Sequence, residues 1–234
     1  QITGNSSAII SAGTAIAPLI FASLFKLTGA YTGMLTVSAA SFGLAAVLLL
    51  LALALAGCGQ GYQFHGTAYD PPKPAPAIPG VNWSGENFDL AALRGKVVLI
   101  FFGYTYCPDA CPLTMAELRQ MVADMGEAAK QVAVVFVSTD PQRDTPEQLG
   151  KYIAAFNPEF YAVHVSETDL PAVQAAYGVF AEKNAETANS PDGYLVDHSG
   201  YIYVVDQKGQ LRMLFGYSLP KADLLADVKH LLES

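Results

Sequence analysis

The chain has 234 residues, of which 52% are hydrophobic and 15% are charged, and its formal net charge at pH 7 is −8. This acidic balance, without a cluster of lysine and arginine, disfavours nucleic acid as a partner. Three cysteines are too few for a disulfide-stapled scaffold. The charge is also uneven, since Lys26 is the only charged side chain before residue 61. The sequence therefore predicts an apolar amino-terminal segment and an acidic domain large enough for its own core.

The apolar segment covers residues 1–57. An uncharged stretch of 25 residues runs from Gly33 to Gly57 and is long enough to span a bilayer. The sequence APLIFASLFKLTGAY lies in a region, residues 4–55, that loosely resembles the last two helices of a major facilitator transporter. That resemblance implies a cytoplasmic location for the residues that follow. Because the chain begins with Gln1 rather than methionine, a misassigned start is a further interpretation of this segment.

The next motif favours a different location. Leu55-Ala56-Gly57-Cys58 matches the lipobox that ends a bacterial lipoprotein signal, in which an apolar run and small residues precede the lipidated cysteine. A chance cysteine at the end of a plain membrane anchor is the alternative. Residues 58–80 are rich in proline and glycine and are predicted to form an extended linker. Both interpretations predict a domain on a membrane surface. The lipobox predicts the outer face of a bacterial cytoplasmic membrane, on the periplasmic or extracellular side.

A globular pattern covers residues 81–234, where strands alternate with helices. Buried strands are predicted at 97–102, 131–138 and 160–165, helices at 113–129, 145–156 and 168–177, a hairpin at 201–205 and 211–215, and a closing helix at 218–232. The sequence Thr145-Pro146-Glu147-Gln148 is a capping box with proline at the first helical position. This order predicts an α/β fold, a thioredoxin-like sheet with helices on both faces.

Two cysteines follow the first buried strand in the sequence GYTYCPDACP. Cys107 and Cys111 are therefore expected at the carboxyl edge of the sheet, where open α/β sheets bind their ligands. A following helix N-terminus would lower the pKa of both thiols. Pro112 fits the first helical position, which leaves the cysteine turn outside the helix. Three residues separate the cysteines, one more than in thioredoxin-type redox motifs. A redox dithiol, a metal site and two structural cysteines are all compatible with this spacing.

A metal site needs a third ligand, and the chain has four histidines. His65 lies in the predicted linker, His164 in a strand and His230 on the solvated face of the last helix. His198 differs, because the polar break VDHSG precedes the hairpin and is expected to approach the cysteine turn at the same sheet edge. Two thiolates and one imidazole suit Cu(I), and with an added oxygen ligand Cu(II). Zinc also accepts this ligand set.

Three further residues near this edge are candidates for supporting roles. Asp140 follows the second strand in STDPQRDTPE, where it serves as a turn residue, an outer-sphere carboxylate or a charge that faces a partner. Tyr104 and Tyr106 flank the thiol loop and are candidates for partner contacts.

Three motifs follow one another along the chain: GYTYCPDACP, STDPQRDTPE and YLVDHSGYIYVVD. With them, the chain resembles the Sco (SenC-like) family of cytochrome c oxidase copper-site assembly proteins over about residues 80–233. The resemblance implies that Cys107, Cys111 and His198 ligate one copper ion per domain. It also implies a copper metallochaperone for the binuclear site of oxidase subunit II, with a copper donor or thiol reductant as a further partner. A thiol–disulfide oxidoreductase that keeps that site's cysteines reduced and a thiol peroxidase remain alternatives.

Overall fold

The computed structural model describes residues 22–23, 25–26, 31–56, 62–187, 193–216 and 220–234. The chain divides into two compact units, residues 1–62 and 63–234. In the first unit, helix α1 covers Tyr31–Ala56. Among the fully described residues, no helix is both long and apolar enough to cross a membrane. Cys58 and Gly57 of the predicted lipobox lie outside the described residues.

The second unit is built on one large mixed sheet that is flanked by helices. Seven strands form the large sheet and two form a small one: β1 (Thr67–Pro74), β2 (Val81–Asn82), β3 (Val97–Gly103), β4 (Val132–Ser138), β5 (Tyr161–His164), β6 (Ala181–Lys183), β7 (Val196–His198), β8 (Tyr201–Val205) and β9 (Gln210–Gly216). The helices are α2 (Ala110–Asp124), α3 (Pro146–Ala154), α4 (Leu170–Tyr177) and α5 (Lys221–Glu233). The large sheet has the order β1-β9-β8-β3-β4-β5-β2, and β6 pairs with β7.

The core lies on both faces of the central strands. All seven residues of β3 and of β4 are buried, as expected for strands covered on two sides. Leu99 and Phe101 of β3 belong to one cluster, which contains apolar residues of α2, α3 and α5. Ile100 and Phe102 belong to the other cluster, which contains residues of α4. This arrangement confirms the predicted α/β, thioredoxin-like fold with helices on both faces of the sheet.

One half of the predicted capping box is present at the start of α3, since the Gln148 side chain contacts Thr105 and not the Thr145 N–H. The Thr145 hydroxyl accepts a hydrogen bond from the Gln148 N–H at 3.2 Å, and Pro146 is the first helical residue. The Thr145 hydroxyl provides an acceptor for an N–H group that has none inside the helix, and Pro146 has no N–H group that needs one. The helix ends at Ala154, two residues before the predicted end.

The predicted linker differs most from the structure. Thr67–Pro74 form β1, which pairs antiparallel with β9 at the edge of the sheet. Prolines are tolerated there because an edge strand does not need every N–H for pairing. The compact unit begins at Gln63, so the extended segment before Val81 is part of the domain instead of a spacer. The short strands β2, β6 and β7 were also not predicted.

Candidate metal centre

The carboxyl ends of β3 and β4 bring two polar loops together. The two strands are parallel and in register from Val97 opposite Val132 to Gly103 opposite Ser138. Beyond the strands, the Thr139 N–H donates to the Gly103 carbonyl at 2.7 Å. The cysteine turn after β3 and the loop after β4 therefore leave the same edge of the sheet, as the sequence predicts.

The cysteine turn runs directly into α2. This helix begins at Ala110, whereas the prediction has Pro112 as the first helical residue, so Cys111 lies in the first helical turn. The helix can begin before Pro112 because N–H groups of the first turn have no intrahelical acceptor, so a proline without an N–H group is tolerated there. The Cys111 N–H instead donates to the Cys107 sulfur at 3.4 Å. The turn thus directs a free amide of the helix start towards one thiol.

His198 reaches the cysteines from a different part of the chain. It is the last residue of β7, opposite Ala181 of β6, and was predicted to lie in a loop. Its Nδ1 lies 3.2 Å from the Ser199 carbonyl, and its Nε2 lies 3.3 Å from the Cys111 sulfur. Donation from Nδ1 to a backbone carbonyl leaves the Nε2 lone pair for a ligand, the arrangement common at histidine metal sites.

The three predicted side chains meet at one point. Ligand atoms of Cys107, Cys111 and His198 all lie within 4.8 Å of one another, and they are the only such metal-ligating group among the described residues. Metal–sulfur and metal–nitrogen bonds measure about 2.3 and 2.0 Å, so atoms that share one ion lie about 3.5–4 Å apart. Small side-chain rotations would bring the observed set to that spacing. The residues present therefore fit a soft metal ion with three protein ligands.

The two thiols have different environments. The pKa of Cys107 is lowered to about 3, because the Cys111 thiol, the His198 ring and the Cys111 N–H stabilise its thiolate. The pKa of Cys111 is raised, because this thiol donates to Cys107 and is buried. The sequence predicts lower values for both thiols, and this is wrong for Cys111. One thiolate beside one protonated thiol is the arrangement expected when two close sulfurs share a single proton.

Packing around the site fixes the buried sulfur. A Cβ added at Gly103 would lie 2.7 Å from the Cys111 sulfur and 3.0 Å from the Phe136 ring. Such a close approach is sterically forbidden, so the glycine leaves space for the thiol against the strand. The Tyr104 ring, also buried, meets the His198 ring edge to face at 5.7 Å between centroids. These contacts hold the histidine and Cys111 in place before any ligand binds.

The supporting residues predicted from sequence have different positions. Asp140 is buried, pairs with Arg143 and accepts a hydrogen bond from the Tyr194 hydroxyl at 2.7 Å. Tyr104 is buried beside the metal-ligating group. Tyr106 is exposed. Of these three candidates for supporting roles, Tyr106 is therefore the one whose side chain is open to a partner.

Sequence reasoning did not identify the role of Asp144. This carboxylate is fully buried and accepts hydrogen bonds from the Thr105 N–H, the Thr105 hydroxyl and the Ser138 hydroxyl. Burial raises its pKa, although the donated hydrogen bonds oppose that shift. Asp144 thereby ties the loop that leads into Cys107 to the end of β4. The signal in the sequence was a second aspartate in the polar loop after β4.

The other histidines lie away from this group. His164 lies in a strand, as predicted, and places its Nδ1 at 2.8 Å from the Asp144 carbonyl. The His230 ring lies against Phe64 at 5.8 Å between centroids. His65 was predicted as a solvated linker residue, yet its N–H and ring nitrogen both contact Asp227 of α5.

Comparison with known proteins gives matches to the same region of the chain. The family model described as SCO1/SenC matches residues 79–233. A SCO2-like protein of Rickettsia prowazekii is 32% identical over 146 residues, which are 62% of this chain and 70% of that protein. The structure of Bradyrhizobium japonicum ScoI with copper bound has a TM-score of 0.61 and 31% identity, covering 68% of this chain and 99% of that chain. The solution structure of apo Sco1 from Thermus thermophilus has a TM-score of 0.63 and 35% identity, covering 74% and 100%.

Proposed function

The chain belongs to the SCO1/SenC family, and on this premise we propose that it is a copper carrier for cytochrome c oxidase assembly. One copper ion binds through Cys107, Cys111 and His198 and passes to the binuclear copper site of oxidase subunit II. The observation that carries the proposal is the convergence of these three ligand atoms within 4.8 Å. A similar structure, ScoI of Bradyrhizobium japonicum, is described with copper bound.

The ligand set supports copper as the cargo. Two sulfurs and one imidazole form a soft site that suits Cu(I), whereas a structural zinc site normally has four protein ligands. Cys107 is part-exposed and thiolate-like, while Cys111 is buried. An incoming thiolate from an acceptor would replace Cys107 first, with Cys111 and His198 still bound to the ion. Copper then moves by ligand exchange without release into solvent.

The proposal includes a tether at the membrane surface. The lipobox at Leu55–Cys58 places the lipid on Cys58, and the domain follows within a few residues at Gln63. Lipidation needs an extracytoplasmic modification pathway, so the domain would work at the outer face of the cytoplasmic membrane. Radiolabelled fatty acid incorporated by the wild type and not by Cys58→Ser supports the tether. Equal labelling of the two proteins contradicts it.

A copper titration of the anaerobically reduced full chain tests the metal site. The wild type is expected to bind one equivalent of Cu(I), and His198→Ala is expected to lose more than about a hundredfold in affinity, since loss of an outer-shell partner alone costs about tenfold to a hundredfold. Cys107→Ser and Cys111→Ser should lose more, because they remove the soft ligands. His230→Ala is the matched control and should bind like the wild type. Equal affinity of wild type and His198→Ala would contradict the three-ligand site.

A thiol–disulfide reductase is the second candidate, favoured by the unequal thiols. The Cys107 thiolate would attack a target disulfide and form a mixed disulfide, and Cys111 would then release the target dithiol. The chain is left with a Cys107–Cys111 disulfide, and a thiol reductant must restore it. His198 separates the two functions, since His198→Ala should retain disulfide reduction while copper affinity falls. Reduction of a target peptide at catalytic rates by that variant would favour the reductase.

A further inference from the structure

The small sheet that carries His198 is separate from the large sheet. Strands β6 and β7 pair with each other, and neither belongs to the seven-stranded sheet. β7 consists of three residues, Val196–His198, and β8 of the large sheet begins three residues later at Tyr201. The large sheet therefore fixes the chain just after His198, whereas the segment before β7 requires a different attachment. This attachment matters because a metal ligand must be held within about 0.5 Å of its productive position.

Tyr194 provides an attachment ahead of β7. It lies two residues before the strand, and its hydroxyl donates to the Asp140 carboxylate at 2.7 Å. Its ring lies against the Arg143 guanidinium, whose carbon is 3.6 Å from the ring centroid. Arg143 also pairs with the same Asp140 carboxylate. We name Asp140, Arg143 and Tyr194 the arginine triad, since each side chain contacts the other two.

The backbone next to Tyr194 approaches the arginine closely. Gly193 has a φ of +91°, a left-handed conformation that favours glycine. A Cβ added at this position would lie 3.3 Å from the Arg143 Nη1 atom. Lys183 of β6 also lies over the Tyr194 ring, at 4.4 Å from its centroid. The arginine triad therefore fixes the backbone that leads into β7 and contacts the strand that pairs with β7.

Arg143 also contacts the cysteine turn. Its guanidinium carbon lies 4.8 Å from the centroid of the Tyr106 ring and 5.7 Å from that of the Tyr104 ring. A guanidinium over the face of a tyrosine is attracted by the negative face of the ring. Tyr106 directly precedes Cys107, and the Tyr104 carbonyl accepts a hydrogen bond from the Cys107 N–H at 3.2 Å. Arg143 therefore joins the segment that carries the cysteines to the segment that carries His198.

Tyr104 extends this connection from Arg143 to the histidine itself. The Tyr104 and His198 rings meet edge to face at 5.7 Å between centroids. Burial raises the pKa of Tyr104, and a hydrogen bond between its hydroxyl and the Val196 backbone opposes that shift. Tyr104 therefore contacts β7 at two of its three residues, and the same tyrosine ring lies beside the guanidinium.

The position of Arg143 carries a cost to the fold. The side chain is 19% exposed. Its Nη2 atom is buried and has no hydrogen-bond partner among the described residues. A buried donor without an acceptor destabilises the folded state, and native proteins contain few such groups. The cost favours a role for Arg143 at the metal centre, because the arginine joins the two segments that carry the ligands.

On the premise of the proposed function, we propose that Arg143 is the positioning residue for the third copper ligand, His198. The arginine triad fixes the segment before β7, and the contacts with Tyr104 and Tyr106 hold that segment against the cysteine turn. His198 is thereby kept beside the two sulfurs before the ion arrives, so less ordering is required on binding. Arg143 is not a ligand itself and acts through His198.

A double-mutant cycle in Cu(I) affinity tests this proposal. The reduced full chain competes with a chromogenic Cu(I) chelator under anaerobic conditions. Arg143→Gln is expected to lose about tenfold in affinity, the lower end of the effect of losing an outer-shell partner. The same change in a His198→Ala background should cause no further loss, since the ligand that Arg143 positions is absent. A purely structural role for Arg143 predicts an equal loss in both backgrounds.

Arg212 of β9 provides the matched control. It pairs with Asp206 at 3.1 Å, and its guanidinium carbon lies 5.4 Å from the centroid of the Phe64 ring. Its side chain is 24% exposed, close to the value for Arg143. Arg212→Gln thus removes a comparable ion pair and a comparable aromatic contact away from the metal centre. We expect this variant to have a lower urea midpoint and the Cu(I) affinity of the wild type.

Variants of Tyr194 test the same contact and keep the ion pair between Arg143 and Asp140. Tyr194→Leu removes the ring and the hydroxyl, and it should lose about tenfold in Cu(I) affinity. Tyr194→Phe keeps the ring against the guanidinium and should recover most of that loss. These two variants decide the question if Arg143→Gln fails to fold with Asp140 buried and unpaired.

Amide hydrogen exchange in the copper-free full chain measures the positioning directly. The peptide that covers residues 193–199 should exchange faster in Arg143→Gln and Tyr194→Leu than in the wild type, because the segment before β7 is released. Binding of Cu(I) should restore most of the protection, since the bond between His198 and the ion then holds β7. Arg212→Gln should exchange like the wild type over this peptide.

Specific results would overturn the positioning role. Wild-type Cu(I) affinity in both Arg143→Gln and Tyr194→Leu contradicts it, and so does an equal loss of affinity in Arg212→Gln. A tenfold loss that Arg143→Gln still causes in the His198→Ala background would show that the arginine does not act through the histidine. Failure of the wild type to bind Cu(I) would instead contradict the proposed function, so the two failures are distinguishable.

Discussion

Two fully buried aspartates, Asp144 and Asp227, stabilise two different regions of the domain, and each accepts hydrogen bonds from a different set of donors. Asp144 accepts hydrogen bonds from Thr105 and Ser138 beside the metal centre. Asp227 of α5 accepts from the N–H groups of His65 and Gly66 and from the His65 ring, ahead of β1. Each carboxylate joins segments that are distant in sequence.

The difference between the regions lies in the exposure and charge of the donors. Ser138 is fully buried, so it has no access to water if the Asp144 carboxylate is lost. The His65 side chain is 44% exposed and ionisable. Mutation in the first region should therefore lower the stability of the domain strongly. Mutation in the second region should lower it less, but the stability contributed by the second region should change more with pH near neutrality.

Removal of the carboxylate in Asp144→Ala is expected to have the largest effect. Three buried or part-buried donors would lose their acceptor, at a cost of about 3 kcal/mol in the free energy of unfolding. The loop before Cys107 would also lose its attachment to β4, so copper affinity should fall although Asp144 is not a ligand. Urea denaturation and the Cu(I) titration of the same protein measure the two effects.

Asp144→Asn sharpens this prediction, because its amide oxygen can still accept from the Thr105 N–H. We expect it to recover part of the lost stability and most of the copper affinity. Copper affinity equal to that of the wild type in Asp144→Ala would show that the cysteine loop is positioned without this carboxylate. The difference between the two regions would then concern stability alone and not copper binding.

Much of this architecture follows from the sequence, because the central strands carry their signal locally. The buried run at β3 and the helix N-cap at Thr145 were predicted within one or two residues of their observed positions. The edge strand β1 was missed, since its prolines argue against a strand and its partner β9 lies about 140 residues later. Pairing at that distance depends on the assembled sheet and has no local signature.

The candidate site also has features that the sequence predicts and features that it does not. Cys107, Cys111 and His198 were predicted from residue type and from the edge of the sheet where their segments lie, and the structure brings them together. The unequal pKa values of the thiols depend on which sulfur receives the helix amide, and that is a property of the three-dimensional turn. The role of Asp144 depends on Thr105, 39 positions earlier, and no spacing rule connects them.

Asp227→Ala is expected to have a smaller effect than Asp144→Ala. The amides of His65 and Gly66 would lose their acceptor, but the neighbouring half-exposed segment admits water, so we expect about 2 kcal/mol. Copper affinity should not change, because the described contacts of Asp227 are with the segment ahead of β1. Urea denaturation measures the loss. A loss in copper affinity as large as that of Asp144→Ala would contradict the separation of the two regions.

The smallest effect is the response of the second region to pH. The Asp227 hydrogen bond raises the pKa of His65 above 6.5, with a further contribution from Asp223, whose carboxylate lies 4.0 Å from the ring. Because the folded-state pKa is raised, the stabilisation is complete below pH 6.5 and is lost as the pH rises through the folded-state value. The urea midpoint of the wild type relative to that of His65→Gln should therefore fall from pH 6 to pH 9. The comparison with His65→Gln cancels the contribution of Cys107, whose lowered pKa makes stability rise with pH over the same range.

Asp144 has a pH dependence of the same sign. Its pKa is raised above 3.8 by burial, so its contribution to stability is complete below pH 3.8 and is lost as the pH rises through its folded-state value. The effect of His65→Gln on the slope between pH 6 and pH 9 should be the same in an Asp144→Asn background as in the wild type, because His65 and Asp144 lie in different regions of the domain. An unchanged slope in His65→Gln would show that the attachment at Asp227 does not depend on the charge of the histidine. The N–H groups of His65 and Gly66 alone would then hold the segment ahead of β1 against α5.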